Sequence, residues 1–204
     1  MESIRGKESY TIDAQLLAER RHRYPYGLID IGTGDGRFIQ HVALHWAGYF
    51  AIGIDACREN LRKASRKAPA NALFVIANAC SLPCELYGQA TYLTLNFPWG
   101  SLLDGLLAGD PGLLGGLAAL AQPGACIDIR LNESALAVRS WSLPAAALQV
   151  QHTLMLAGFN MGTPITVSND ELRRLPTNWA KRLAFGREAG AVALSGTRWD
   201  IPQR

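Results

Sequence analysis

Carboxylates placed at the ends of two apolar runs are the residues of this chain best suited to chemistry. Asp30 and Asp35 bracket Ile31-Gly32-Thr33-Gly34, and Gly36-Arg37 follow, after the run Gly27-Leu28-Ile29. Apolar residues at Phe38, Ile39, Val42 and Ala43 then keep helical spacing. Glycine permits positive φ and lets the backbone approach a ligand closely, so a strand, glycine turn and helix read as a nucleotide-type site at a strand end. The spacing is G-x-G-x-G, neither the dinucleotide fingerprint nor a Walker loop. Acid at both ends of the turn would repel a pyrophosphate and suits a cationic ligand instead. S-adenosylmethionine (SAM) has that chemistry: a sulfonium, an ammonium and no phosphate.

A further acid supports this reading. The run Tyr49-Phe50-Ala51-Ile52-Gly53-Ile54 ends in Asp55, where a carboxylate can accept from both ribose hydroxyls. NAD enzymes use the same device, and an ordinary turn acid would look alike. Asp55 therefore takes its meaning from the glycine turn before it.

A fourth strand ends in Asn96-Phe97-Pro98-Trp99-Gly100. An aromatic held by the preceding Pro98 offers a platform for a planar base, and such stacking is worth about 1–3 kcal/mol. The pattern is similar to the Asn-Pro-Pro-Tyr motif of amino-methyltransferases, with Phe97 in place of the first proline. A core tryptophan at a strand end is the alternative. Trp179 sits among bases in Thr177-Asn178-Trp179-Ala180-Lys181-Arg182-Leu183. It reads either as an aromatic surface beside phosphate or, with Leu183, as the inward stripe of a helix.

The elements that must carry these residues alternate. Strands are predicted at 28–31, 49–54, 73–76, 91–95 and 125–131. Helices are predicted at 36–46, 58–68 and 102–120, the last broken at Gly109-Asp110-Pro111. A further helix is predicted at 142–157, with a closing antiparallel pair at 164–167 and 191–197. This alternation predicts an α/β fold, a parallel sheet with helices on both faces, arranged as a Rossmann-like, seven-stranded, class I SAM-dependent methyltransferase. Residues 1–26 form an N-terminal extension, a hairpin over 4–12 and a basic helix over 14–23. Insertions at 131–143 and 168–187 follow strands, where ligand sites form.

The 204 residues fit one domain over 1–204, 49% hydrophobic and 18% charged. The uncharged run from Pro111 to Ile127 is interrupted by glycines and Pro123 and is short for a membrane span. No signal peptide opens the chain, so a cytoplasmic protein with no membrane and no protein partner is expected. Cys57, Cys80, Cys84 and Cys126 form no C-x-x-C pair, and His41 with His45 lacks a third ligand; no metal is expected. Net charge is +3, but Lys and Arg are absent between Lys67 and Arg130. Base gathers at Arg20-Arg21-Arg23, at Arg58-Arg62-Lys63-Arg66-Lys67, and at Arg173-Arg174, Lys181, Arg182 and Arg187. Three such clusters around one site suggest a polyanionic substrate, although solvated helix faces also carry such charge.

Asp30-Ile-Gly-Thr-Gly-Asp-Gly-Arg37, Ile52-Gly-Ile-Asp55, Glu59-Asn60-Leu61, Phe74-Val-Ile-Ala77, Ser81-Leu-Pro83, Phe97-Pro-Trp-Gly100 and Trp179-Ala-Lys-Arg-Leu-Ala-Phe-Gly-Arg187 stand in consistent order between 27 and 195. Together they resemble the aminoglycoside-resistance 16S rRNA methyltransferases that modify N1 of adenine 1408 in the decoding site. The first motif is widespread; Phe-Pro-Trp-Gly with Trp-Ala-Lys-Arg-Leu is far more specific. The resemblance implies that Asp30, Gly32, Thr33, Gly34 and Asp55 hold SAM, with Ala79 and Leu82 near its adenine. It implies that Trp99, placed by Pro98, and Trp179 sandwich a flipped adenine. Lys181, Arg182, Arg187, Arg66 and Lys67 would meet rRNA of the assembled 30S subunit, docked through the two insertions by shape and phosphate contacts. The chain departs from the family pattern at Cys80, where an acid is usual, and at Glu188-Ala189, where the family is basic.

Neutral adenine N1 already carries an in-plane lone pair, so no general base is required. Orientation alone can supply ~7–11 kcal/mol, and flanking indoles favour the cationic product. Two other functions fit the same residues. One is methylation of another RNA purine, including an exocyclic amine accepted by the Asn96 carbonyl. The other is SAM or RNA binding with weak turnover.

Overall fold

In a computed structural model, which describes residues 1–185 and 190–199, the chain opens with a hairpin, β1 (Glu2–Arg5) and β2 (Glu8–Thr11). A helix follows, α1 (Ala14–Arg21), whose first turn is capped by Asp13 accepting from the Leu16 amide. The alternating part runs β3 (Tyr26–Ile31), α2 (Arg37–His45), β4 (Tyr49–Asp55), α3 (Arg58–Arg66), β5 (Ala72–Ile76) and β6 (Ala90–Asn96). Next come α4 (Gly100–Ala108), α5 (Pro111–Leu120), β7 (Ala121–Asn132), α6 (Glu133–Ala137) and α7 (Leu143–Leu156). The chain closes with β8 (Phe159–Met161), β9 (Ile165–Thr166), α8 (Asn169–Arg174), α9 (Asn178–Phe185) and β10 (Ala191–Arg198).

The sheet order is β2-β1-β5-β4-β3-β6-β7-β10-β8, with β9 beside β10. Strands β3 to β7 pair in parallel, and β10 lies antiparallel between β7 and β8. The seven strands from β5 to β8 form the α/β core expected of a SAM-dependent methyltransferase. The hairpin extends that edge through β1, with Ser3 opposite Val75.

The closing strand differs from the sequence expectation. Residues 164–167 supply only β9, two exposed residues beside β10. Its place in the sheet goes to β8, which buries Phe159 and Met161 and exposes Asn160. Three residues between Gly158 and Gly162 are too few for an alternation to register in sequence.

Both faces of the sheet are covered, unequally. Helices α1, α4, α5 and α7 pack one face over Ile29, Ile52, Leu93, Ile127 and Leu194. Helices α2 and α3 cover the other through Phe38, Ile39, Val42, Leu61 and Ala64. On this second face the paired rows become polar: Asp30 opposes Thr94, Thr94 opposes Asp128, and Asp128 opposes Ser195. A third cluster seats α8 and α9 on the end of β6, with Phe97 beneath Leu172, Ala180, Leu183 and Ala184. A Ser168–Glu171 capping box starts α8. Among the described residues no helix is long and apolar enough to cross a membrane.

Candidate active site

The glycine turn is clasped between the ends of β3 and β4. The Gly32 and Thr33 amides both donate to the Ile54 carbonyl at 2.9 Å, and the Gly34 amide donates to Asp55 Oδ2 at 2.8 Å. Gly34 has φ +57° with open space around its missing side chain, so conformation alone demands glycine there. Gly36 is constrained twice: φ is +70°, and a Cβ would lie 2.5 Å from the Phe74 ring. Its absence lets α2 lie close on the sheet.

A cleft of about 480 Å³ opens over this turn. It collects Asp30, Gly32, Thr33 and Gly34 from β3 and the turn, Asp55 from β4, and Ala79 from the segment after β5. Pro98 and Trp99 enter from the end of β6, and Trp179 and Arg182 from α9. Leu82 is not among them; it is buried in the core, against Gly116. Burying a leucine is worth about 1.5–3 kcal/mol, which outweighs lining an open wall. Asn78 and Cys80 line the wall instead. Burial, and then Asp110, push the Cys80 thiol up, so it stays neutral and does not replace a carboxylate acceptor.

The two acids differ. Asp55 is half-buried; its Oδ1 accepts from the Cys57 amide at 2.8 Å and from Asn60 Nδ2 at 3.3 Å, opposite the Gly34 bond on Oδ2. Asp30 is buried, and Thr94 Oγ1 and Asn96 Nδ2 both donate to its Oδ1, at 2.6 and 3.0 Å. Neither bond occupies Oδ2. Burial pushes Asp30 up to about 6, against the opposing pull of its hydrogen bonds and of Arg130. Asn96 is committed on both sides, because its Oδ1 accepts from Arg130 Nη1 at 2.9 Å. That oxygen keeps a second lone pair, so the Arg130 bond alone leaves it able to accept from an exocyclic amine.

Trp99 and Trp179 face each other across the mouth with 14° between their planes. Phe97 makes this possible by adopting a left-handed conformation, φ +57°, which costs about 1–2 kcal/mol. Its burial among Leu172, Ala180 and Leu183 offsets that cost. Arg139 fixes the other side of the loop: it pairs with Asp104, donates to the Gly100 carbonyl at 3.2 Å and to the Ala135 carbonyl at 3.1 Å. Asn178 donates to Asp35 and so ties α9 to the glycine turn. Arg182 lies over the Trp179 ring, 5.5 Å from its centre.

The three basic clusters do not share this mouth. Arg66 ends α3 and Lys67 follows it, at the pole where the parallel strands begin. Arg20 donates to the Ala70 and Ala72 carbonyls over the Phe50 ring, and Arg21 is buried. Only the last cluster stands at the cleft, with Lys181 and Arg182 exposed on α9. Arg187, like Glu188 and Ala189, lies outside the described residues. Arg130 and Arg139 were not singled out from sequence. Arg130 had a signal, since Asp128 and Arg130 alternate with apolar residues in a strand buried on one face. Arg139 had none, because its partner Asp104 is 35 residues away.

Comparison with known proteins gives a consistent answer. A family model, NpmA: 16S rRNA (adenine(1408)-N(1))-methyltransferase, matches residues 2–198. The 16S rRNA (adenine(1408)-N(1))-methyltransferase of Escherichia coli is 31% identical over 95% of this chain and 96% of its own length. The solved structure of an antibiotic-related methyltransferase superposes with a TM-score of 0.85 at 33% identity, covering 96% of this chain and 99% of that one. A variant of the 16S rRNA (adenine(1408)-N(1))-methyltransferase from Catenulisporales acidiphilia, crystallised with its cosubstrate SAM, shares the fold. Its TM-score is 0.87 at 24% identity, covering 100% of this chain and 99% of that one.

Proposed function

The chain belongs to the 16S rRNA (adenine(1408)-N(1))-methyltransferase family, and from that premise we propose that it methylates N1 of adenine 1408 in 16S rRNA within the assembled 30S subunit, using SAM and giving aminoglycoside resistance. The observation that carries the reading is the near-parallel indole pair above an acid-lined glycine turn.

The residues present fit SAM. Thr33 Oγ1 is buried beside Asp30 without a well-formed hydrogen bond, and Thr94 and Asn96 both bond Oδ1 of Asp30 rather than Oδ2. Asp30 would face the amino group of the cofactor and Asp55 its ribose, while Gly32 and Gly34 let the backbone approach. Ala79 and Cys80 would flank the adenine. When bound, SAM supplies a methyl group on a positively charged sulfur.

The protein's part is positioning. Trp99 and Trp179 would hold the extruded adenine flat between them, each face worth about 1–3 kcal/mol. Held in line, N1 attacks with its own lone pair, and no side chain has to remove a proton. The indole faces then favour the cationic base that forms. Lys181 and Arg182 stand where RNA backbone would pass the mouth, and the α8–α9 segment forms one wall of the docking face. Such an enzyme works in the cytoplasm, where its ribosomal substrate is.

Transfer of tritiated methyl from SAM to isolated 30S subunits, followed by primer extension, tests this. An N1-methylated adenine blocks base pairing, so a reverse-transcription stop next to adenine 1408 is expected. A stop elsewhere, or equal transfer to naked rRNA, would overturn the assignment or the docking requirement respectively.

A further inference from the structure

A chain of hydrogen bonds leads from Asp30 sideways through the sheet, away from the cleft. Asn96 Nδ2 donates to Asp30 Oδ1 at 3.0 Å, and Arg130 Nη1 donates to Asn96 Oδ1 at 2.9 Å. Arg130 in turn stands 3.6 Å from Asp128 Oδ2. Asp128 is itself held by the Tyr92 hydroxyl at 2.5 Å and by Ser195 Oγ at 2.6 Å. Four strands, β3, β6, β7 and β10, each contribute a member.

The guanidinium decides which way the amide of Asn96 points. Arginine has five donors and no acceptor, so it can face only the oxygen of Asn96. The NH2 group is then left to face Asp30. A free Asn96 could rotate its amide and present oxygen to Asp30, setting two acceptors against each other. Asp128, braced by Tyr92 and Ser195, keeps Arg130 from swinging away.

We propose that Arg130 is a positioning residue for cofactor binding, acting through Asn96 so that Asp30 offers Oδ2 to the amino group of SAM. The proposal rests on the methyltransferase reading. Arg130 touches neither cofactor nor base on this account.

The electrostatics point the same way. Asp30 is buried and pushed up to about 6, and the charge of Arg130 is one of the pulls that hold it down. The groups around it are Thr33 in the glycine turn, whose hydroxyl is the strongest of those pulls, Thr94, Asn96 and Tyr92 on β6, Arg130 and Asp128 on β7, and Ser195 on β10. Asp35 and Asp55 line the same cleft on its other side, with Arg182 at the mouth. Arg130 is the only cation among these that pulls on Asp30 from within the sheet. Without it the carboxyl would keep its proton to higher pH, and an ammonium would lose its partner there.

The test is SAM affinity by calorimetry between about pH 5 and 7.5, below the range where an α-amino group deprotonates, about 7.7–8.0. In the wild type, affinity should fall as pH drops through about 6. In Arg130→Met the fall should begin at higher pH, with affinity nearly regained at the top of the range. Arg130→Lys should restore part of the shift, because it keeps the charge and loses the fork. Asn96→Leu should give the same upward shift, and adding Arg130→Met to it should change little. A carbon-13 carboxyl titration of Asp30 in SAM-free protein reads the same midpoint without any cofactor. Should Arg130→Met fail to fold, Asn96→Leu and Arg130→Lys carry the test alone. A loss of affinity independent of pH, or an unmoved Asp30 midpoint, would overturn the proposal. A wild type that binds no SAM at any pH would instead sink the methyltransferase reading.

Discussion

The indole rings of Trp99 and Trp179 are stacked on each other, 14° from parallel with centroids 5.5 Å apart. A base between two rings needs about 7 Å, twice the ~3.5 Å carbon contact distance. The pair therefore has to part before a base can enter. Arg139 pins the backbone beside Trp99, which leaves Trp179 on α9 as the half that yields. The hydrogen bond from Asn178 to Asp35 that ties it to the glycine turn is exposed, and Trp179 otherwise only packs on the edge of the Leu172, Ala180 and Leu183 cluster.

Trp99→Ala and Trp179→Ala should each slow methylation about 5- to 150-fold, the loss of one stacking face, with SAM affinity nearly unchanged. Trp99 is 45% exposed, so its removal should barely move the melting temperature. Methyl-transfer rates run beside thermal melts check both. A variant that melts far earlier yet keeps its rate per folded molecule would mark that indole as packing.

Asp30→Asn should stabilise the SAM-free protein at neutral pH while abolishing tight SAM binding. Burial raises this acid from 3.8 to about 6, so the folded state holds its proton more tightly than the unfolded chain does. Stability is then complete below the unfolded value and is lost as pH rises through about 6. The shift corresponds to ~3 kcal/mol as an upper bound, at 1.36 kcal/mol per unit. Denaturant melts of both proteins should converge as pH falls below about 4, separate as pH rises from there to about 6, and keep a constant gap above it.

Asp55→Ala should weaken SAM at least tenfold, since charge-assisted hydrogen bonds are worth about 1.5–3 kcal/mol each. The Gly34 and Cys57 amides also lose their acceptor, so the turn should loosen too. Hydrogen exchange at those amides would rise. Unchanged calorimetric affinity in a folded variant would remove Asp55 from the site.

Arg139→Ala should lower the single-turnover rate while leaving SAM affinity within about twofold. It removes the anchors on Asp104 and on the Gly100 carbonyl, and misplacement of a stacking residue is costly to rate. Asp104→Asn should act in the same direction and less strongly. Equal losses in rate and in SAM binding would point to general unfolding of the loop.

Arg182→Ala should reduce the salt dependence of 30S binding by about one phosphate contact, a slope change of ~0.7–0.9. Arg66→Ala should change it less, because Arg66 lies at the opposite pole of the sheet. Filter binding over a salt series distinguishes them. Matching slopes would show that the docking face wraps around to α3.

Local order made much of this protein legible. The glycine turn, Asp55 and Phe97-Pro98-Trp99 could be read because each lies within a few residues of a strand end. A strand end in a parallel sheet already faces the ligand side. The helices were readable from apolar spacing and from signals such as Asp110-Pro111, which starts α5.

Contacts between distant segments were not legible. The basic clusters look alike in sequence, yet Arg20 is spent on the carbonyls of Ala70 and Ala72, Arg21 on that of Tyr24, and Arg66 lies at the far pole of the sheet. Leu82 turned into the core although its neighbours Ala79 and Cys80 line the cleft. The two partners that hold Asn96 lie 66 and 34 residues away, beyond the reach of any local pattern.

By itself, then, the sequence determined that a strand, glycine turn and helix would set acids at a cationic ligand, with an aromatic platform beside it. Those are properties of backbone conformation and of neighbours along the chain. Only the tertiary structure decided that Trp99 meets Trp179 and that Arg130 reaches Asp30 through Asn96. Pairing across strands is fixed by register and packing over the whole sheet, and no local pattern encodes which distant donor a buried acceptor will find.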